Sequence, residues 1–156
     1  MFDAPIDGWY AWLGASLVAA GALGVAAGLP TAPPPDAAGA ARTVDSLAAS
    51  AYAGSETASL DRADRIRLTP RGVSLRGPDG TAHADFEYGP VTPVRDDGPL
   101  AAVLAGEPPG DVFADPTEFA VVAHGARTGD PGWRAAPDRL RVRRVTWGGV
   151  DVTLVG

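Results

Sequence analysis

From Trp9 to Leu29 the chain runs for 21 residues without a charged side chain, flanked by Asp7 and Pro30. As a helix rising 1.5 Å per residue, this run would be about 31 Å long, close to the hydrocarbon thickness of a bilayer at about 30 Å. Trp9, Tyr10 and Trp12 gather at one end of it, where amphipathic rings settle at the headgroup level. Gly14, Gly21 and Gly28 recur every seven positions, and Ser16, Ala20, Gly24 and Gly28 form a small-residue row at spacing four. Such a row gives a helix a smooth stripe that a second membrane helix can approach closely. The expectation is therefore a transmembrane helix over residues 9–29 with two partners, the lipid bilayer and a membrane protein packed on the stripe.

The same run could instead be a secretory signal, which needs a basic stretch ahead of a short apolar core. Residues 1–8, MFDAPIDG, carry two Asp and no Arg, so a retained anchor is expected. Arg and Lys flanking a span fix its orientation. Here the first of them is Arg42, too distant to decide, and the C-terminal domain is expected outside the cytoplasm.

Beyond the run, PTAPPPDAAGA continues a spacer over residues 30–41. Four prolines within Pro30–Pro35 favour extended polyproline II and oppose a helix. The remaining residues, 42–156, have room for one modest domain. AARTVDSLAASAYAG predicts a short amphipathic helix with Val44, Leu47 and Ala51 on one face and Gly54 beyond its end. RIRLT (65–69), VSLR (73–76) and TAHADFEY (81–88) alternate and are joined by tight turns, which predicts an antiparallel meander. In the third of these strands Ala82, Ala84, Phe86 and Tyr88 are expected inward. LAAVLA (100–105) reads as helical and EFAVVAHG (118–125) as a buried strand.

DRLRVRRVTWGGVDVTLVG reads as a hairpin turning at Gly148-Gly149, because paired glycines suit a primed turn. In its first strand Leu140 and Val142 alternate with Arg139, Arg141 and Arg143, and the phase then breaks at Arg143-Arg144. A one-residue bulge there would return Val145 and Trp147 to the face of Leu140 and Val142. The predicted class is thus α+β: an N-terminal tail (1–8), a transmembrane helix, a Pro-rich spacer, and one amphipathic helix packed on an antiparallel sheet of about six strands.

Chemistry is harder to find. There is no cysteine, which removes thiolate catalysis and cysteine metal sites. His83 and Asp85 share one strand face, with Glu87 beyond and His124 and Glu118 as further candidates for a metal set. An alternating polar face produces the same pattern, with Arg67 or Arg76 as cross-strand partners for the acids. Nucleophile-elbow and phosphate-loop motifs are absent, so no catalytic residue, cofactor or metal ligand is assigned and the chain is expected to be non-enzymatic. All 13 basic residues are Arg, the acids outnumber them at 19, and the net charge is -6. That balance opposes nucleic acid as a partner, and Arg-only, Asp-rich usage fits a halophilic, GC-rich source. The exception to the acidic trend is RLRVRR, where Arg139, Arg141, Arg143 and Arg144 make a candidate docking patch for an anionic surface.

MFDAPIDGWYAWLG, the spacer LPTAPPPDAAGAA, RTVDSLAAS and RIRLTPRGVSLRGPDGTAHADF resemble an uncharacterised haloarchaeal family of single-pass membrane proteins, a domain of unknown function found beside type IV pilus-like and secretion gene clusters. The resemblance implies an archaeal cell-surface accessory or structural protein and carries over no catalytic residue. The layout is only loosely similar to type IV pilins, which have a basic leader and a helix running unbroken into the head domain. The alternative function is a cell-surface binding module that recognises a ligand through its sheet face or through loops 89–99 and 106–117.

Overall fold

A computed structural model describes residues 13, 15–18 and 32–156. The chain divides into two compact units, residues 1–33 and 34–156. In the first, Leu13 and Ala15–Val18 are helical, and Leu13, Leu17 and Val18 are exposed. No helix among the described residues is long and apolar enough to cross a membrane. The span expected over 9–29 lies almost wholly outside those residues.

The second unit begins inside the expected spacer. The polyproline stretch stops at Pro35, and Asp36 accepts a hydrogen bond from the Gly39 N–H at 2.7 Å, capping helix α1, Ala37–Ala48. Alanine has the highest helix propensity and an aspartate cap satisfies an orphan donor, so the helix starts as soon as the prolines end. It buries Ala37, Ala40, Ala41, Val44 and Leu47. Ala51, expected on this face, lies past the helix end and is exposed.

The meander forms as expected from β2 (Arg65–Thr69), β3 (Gly72–Gly77) and β4 (Gly80–Asp85). Ile66, Leu68, Val73 and Leu75 are buried on its inner face. The third strand ends earlier than its alternation suggests. Phe86 is buried, but Tyr88 is 55% exposed and not inward.

Instead of one sheet of about six strands there are two sheets of four among the described residues. The meander is extended by β6 (Arg134–Ala135) on β2. The other sheet has the order β1-β7-β8-β5, built from β1 (Gly54–Ser59), β5 (Thr92–Pro93), β7 (Arg139–Trp147) and β8 (Val150–Val155). It is not purely antiparallel, since β5 runs parallel to β8. Strand β1, GSETAS, has no apolar alternation that would announce it. Its pairing with β7 creates it.

Strand β7 decides the layout. The predicted bulge at Arg143-Arg144 is absent: β7 pairs with both β1 and β8 in one unbroken register from Arg139 to Trp147. Leu140 and Val142 therefore face one side and Val145 and Trp147 the other. Each side has its own core. The first gathers α1 and the meander around Leu140, Val142 and Val155. The second gathers Val94, Leu100, Val103, Phe113 and Phe119 around Val145, Val152 and Leu154.

The second core is roofed by helices α2 (Pro99–Ala105), α3 (Pro109–Val112) and α4 (Pro116–Thr128). Helix α4 replaces the buried strand expected at 118–125. Its start is over-determined: Asp115 accepts from the N–H groups of Thr117 and Glu118, and Pro116 occupies the first turn, where its missing N–H has no cost. Phe119 and Ala123, four residues apart, are its buried contacts, while Val121 is 65% exposed. The β-branched Val121-Val122 pair imitates a strand, but the cap wins. The Phe119 ring lies 5.3 Å from that of Phe113 and 6.2 Å from that of Trp147.

At the phase break, each arginine holds a helix C-terminus on its own side of the sheet. Arg143 donates through Nη1 to the carbonyls of Val103 and Glu107, the latter at 2.8 Å, at the end of α2. Arg144 donates to the Ala48 carbonyl at 2.9 Å, at the end of α1. Neither helix has a basic residue in its own last turn, so β7 supplies the positive charge that the helix dipole and the orphan carbonyls require. Hydrogen bonds from charged donors contribute about 1.5–3 kcal/mol. Arg143→Ala should therefore lower unfolding free energy by about that amount, and Arg139→Ala, on the exposed part of the strand, by less than about 0.5 kcal/mol. Urea unfolding of the two variants compares them, and equal losses would remove the helix-end role. Asp115→Ala should cost about 1 kcal/mol in the same assay.

Candidate functional site

A cleft of about 850 Å³ lies between loop 93–99, the last turn of α4 and segment 129–134. Its size lies in the range of small-molecule sites. Leu68, Leu100 and Val122 contribute apolar surface, and Trp133 stands among the lining residues. Two arginines contact that residue: the Arg76 guanidinium lies 4.5 Å from its ring centre and Arg65 donates to its backbone carbonyl at 3.1 Å. Arg95 donates to the Asp130 carbonyl at 2.9 Å, tying loop 93–99 to segment 129–134. Arg134 bonds Asp96 through Nη1 at 3.2 Å, while its Nη2 is buried with no hydrogen-bond partner. The cleft thus combines an apolar surface and an indole with charged groups, including the exposed carboxylates of Asp96 and Asp97.

Of the two loops named for the alternative function, residues 93–99 line this cleft and none of 106–117 does, the latter folding into α3 and the start of α4. Trp133 and Arg134 were missed by sequence reasoning. Their one signal is a lone Trp in the turn-rich segment GDPGWRAAPD. Beside the cleft, Arg127 donates through Nε to the fully buried Thr92 hydroxyl at 2.8 Å, and burial lowers its pKa from the ordinary arginine value.

The candidate metal set does not assemble. His83 Nδ1 is 2.9 Å from Ser74 Oγ, directly across the β3–β4 ladder, and His83 Nε2 is 3.1 Å from Asp85 Oδ1. Glu118 accepts from the Ala114 N–H at 2.9 Å, ahead of α4. His124 lies along α4 in a shallow groove with Val150 and Asp151. Segment 118–125 is part of a helix of the second core, whereas His83 and Asp85 lie on the meander. No group of three or more His, Cys, Asp or Glu side chains is positioned to hold a metal ion among the described residues. Arg67 and Arg76 do not pair with the strand acids, and Arg76 is occupied with Trp133 and Thr81.

The four-arginine patch is divided by the strand pleat. Arg143 and Arg144 point to opposite faces and are committed to helix ends. Arg139 and Arg141 remain exposed. Of the residues proposed for membrane packing and anchoring, Ser16 is helical and exposed. Trp9, Tyr10, Trp12, Gly14, Ala20, Gly21, Gly24 and Gly28 lie outside the described residues.

The His83–Asp85 pair is open to solvent, with side-chain exposures of 54% and 82%, and exposed pairs of this kind contribute about 0–1 kcal/mol. It folds over Gly72, where an added Cβ would lie 2.8 Å from the Ala84 carbonyl oxygen and 3.2 Å from His83 Cε1. His83→Ala should change stability by less than about 1 kcal/mol, and Gly72→Ala should cost about 1–3 kcal/mol because backbone must move. Thermal unfolding of both variants checks the order, and a larger loss in His83→Ala would give the pair a structural role that its exposure denies.

Comparison with known proteins adds one relationship. No curated protein and no solved structure matches this chain. The model of a family of unknown function, DUF7283, matches residues 3–145, a region that takes in the uncharged N-terminal run, the meander, the cleft and most of β7. The chain belongs to the DUF7283 family of unknown function.

Proposed function

We propose that this chain is a non-enzymatic, membrane-anchored accessory or structural protein of an archaeal cell-surface assembly of the pilus-like or secretion kind. The observation that carries the reading is the uncharged run Trp9–Leu29, joined through a proline-rich stretch to a separately folded unit over 34–156. In this reading residues 9–29 span the bilayer once, with Trp9, Tyr10 and Trp12 at the interface. The Ser16, Ala20, Gly24 and Gly28 row packs against a helix of a membrane partner. The folded unit works outside the cytoplasm, and the arginine-only, acidic composition suits a halophilic setting where salt screens self-repulsion. The resemblance to haloarchaeal membrane proteins near pilus-like gene clusters supports the process.

The cleft favours a second reading, a surface binding module. An apolar cleft with an indole and convergent polar groups is where a ligand would be held, and occupancy would raise thermal stability by mass action.

Protease treatment of intact cells carrying a C-terminal tag, with intact mass of the membrane-bound protein, tests the first reading. Loss of the tag together with a mass that includes residues 1–30 is expected. A protected tag would place the folded unit inside the cell, and a mass lacking those residues would remove the anchor. Gly24→Ile with Gly28→Ile should reduce co-purification of membrane partners, and undiminished recovery would remove the stripe's role.

A further inference from the structure

Strand β1 ends its sheet, with β7 as its one neighbour among the described residues. The ladder fixes which of its backbone groups are engaged. Arg141 exchanges hydrogen bonds with Gly156 on the β8 side, at 2.8 and 3.0 Å, so the odd-numbered β7 residues turn toward β8 and the even-numbered ones toward β1. In β1 the partners Gly54, Glu56 and Ala58, opposite Arg144, Val142 and Leu140, are therefore bonded inward. The Leu60 N–H bond to the Asp138 carbonyl, at 2.9 Å, continues that phase. Ser55, Thr57 and Ser59 direct their N–H and C=O groups to the open edge, and all three are exposed.

The other sheet ends differ from β1 in length or in the charge beside them. Strands β5 and β6 have two residues each, and β5 contains Pro93, which cannot donate to a ladder. Strand β4 is also a six-residue end strand without proline or lysine, but the arginine opposite it, Arg76 across from Thr81, is already engaged with Thr81 and Trp133. Edge strands are commonly protected by proline, lysine, bulges or shortness; β1, six residues long, has no proline or lysine and pairs without a bulge.

A second observation specifies what would pair there. Residues directly opposite in an antiparallel ladder share a face. Arg141 lies opposite Thr57 and Arg139 opposite Ser59, on the face away from α1. Both guanidinium groups are exposed, and the ion pairs among the described residues, His83–Asp85 and Arg134–Asp96, involve neither. Acids in this region are Asp138, next in sequence to Arg139, Asp61, which accepts from the Ser59 hydroxyl, Glu56 on the opposite face of β1, and Glu107, whose carbonyl Arg143 holds. Ser55, Thr57 and Ser59 are short, so the long arginine side chains can extend over them toward a strand placed outside β1.

We propose that the open edge of β1 receives an extended acidic segment of a partner protein by strand addition. Its backbone pairs with Ser55, Thr57 and Ser59, and its carboxylates at alternate positions face Arg139 and Arg141. Its intervening side chains fall beside Glu56 and Ala58 and are small and uncharged. Main-chain bonds supply affinity in such complexes and the alternate side chains supply specificity. The inference goes beyond anchoring and does not depend on it, since the edge and the arginines belong to the folded unit.

Fluorescence anisotropy of the full chain with a labelled eight-residue peptide alternating threonine and aspartate is the test, with a threonine–lysine peptide as control. Binding of the acidic peptide alone is expected. It should weaken with salt and fall at least about tenfold in the Arg139→Ala, Arg141→Ala double variant, the effect of losing about 1.4 kcal/mol. Thr57→Pro, which removes an edge N–H, should abolish binding while leaving thermal unfolding cooperative. Should that variant fail to fold, amide exchange in the unaltered chain decides, because strand addition slows the amide protons of Ser55, Thr57 and Ser59. No binding, equal binding of the lysine peptide, binding that survives in folded Thr57→Pro, or unslowed edge amides would each overturn the proposal. Concentration-dependent self-association lost in Thr57→Pro would overturn it too, by making a second copy the occupant.

Discussion

One unbroken strand with two apolar phases holds the folded unit together. Strand β7 keeps its register with β1 and β8 from Arg139 to Trp147, so Leu140 and Val142 serve one core and Val145 and Trp147 another. Burying each such side chain contributes about 1.5–3 kcal/mol, and here both sets are collected on one strand. At the crossover sit the two residues least suited to a core. Both are placed where a helix ends, so their charge meets backbone carbonyls instead of apolar surface. Removing that arrangement would leave two helix C-termini without their cation.

Burial on both faces of β7 and β8 explains why function has to be sought at the margins. The central strands are committed to packing. Accessible among the described residues are the cleft beside loop 93–99, the outer face of the meander, the groove at His124 and the β1 edge. Arg139 and Arg141 lie at that edge, and Arg143 and Arg144 lie under the helices. The same hydrophilic run is thus surface at one end and structural support at the other.

Much of the meander was legible because each strand alternates within a short span bounded by turn residues. Ile66, Leu68, Val73 and Leu75 follow the period-two rule directly, and Gly148-Gly149 marks its hairpin by backbone preference alone, with both glycines at positive φ. The α4 segment was misread because Val121-Val122 weighed more than its start signal, Asp115-Pro116 with Glu118 close behind. The cleft was half legible: loop 89–99 was named, but Trp133 and Arg134 meet it only through long-range packing. The His83 set failed as a metal site because its supposed members belong to different elements.

The sequence by itself determined the uncharged N-terminal run, the proline break, the meander, the glycine hairpin and the α+β class, because each is a matter of local backbone preference or short-range periodicity. Tertiary structure alone decided that there are two sheets, that GSETAS is a strand, and that the Arg143-Arg144 phase break is a change of core instead of a bulge. Those outcomes depend on what covers each face of a strand. A chain's local pattern records that a side chain is apolar, but not which of two sides has a partner waiting for it.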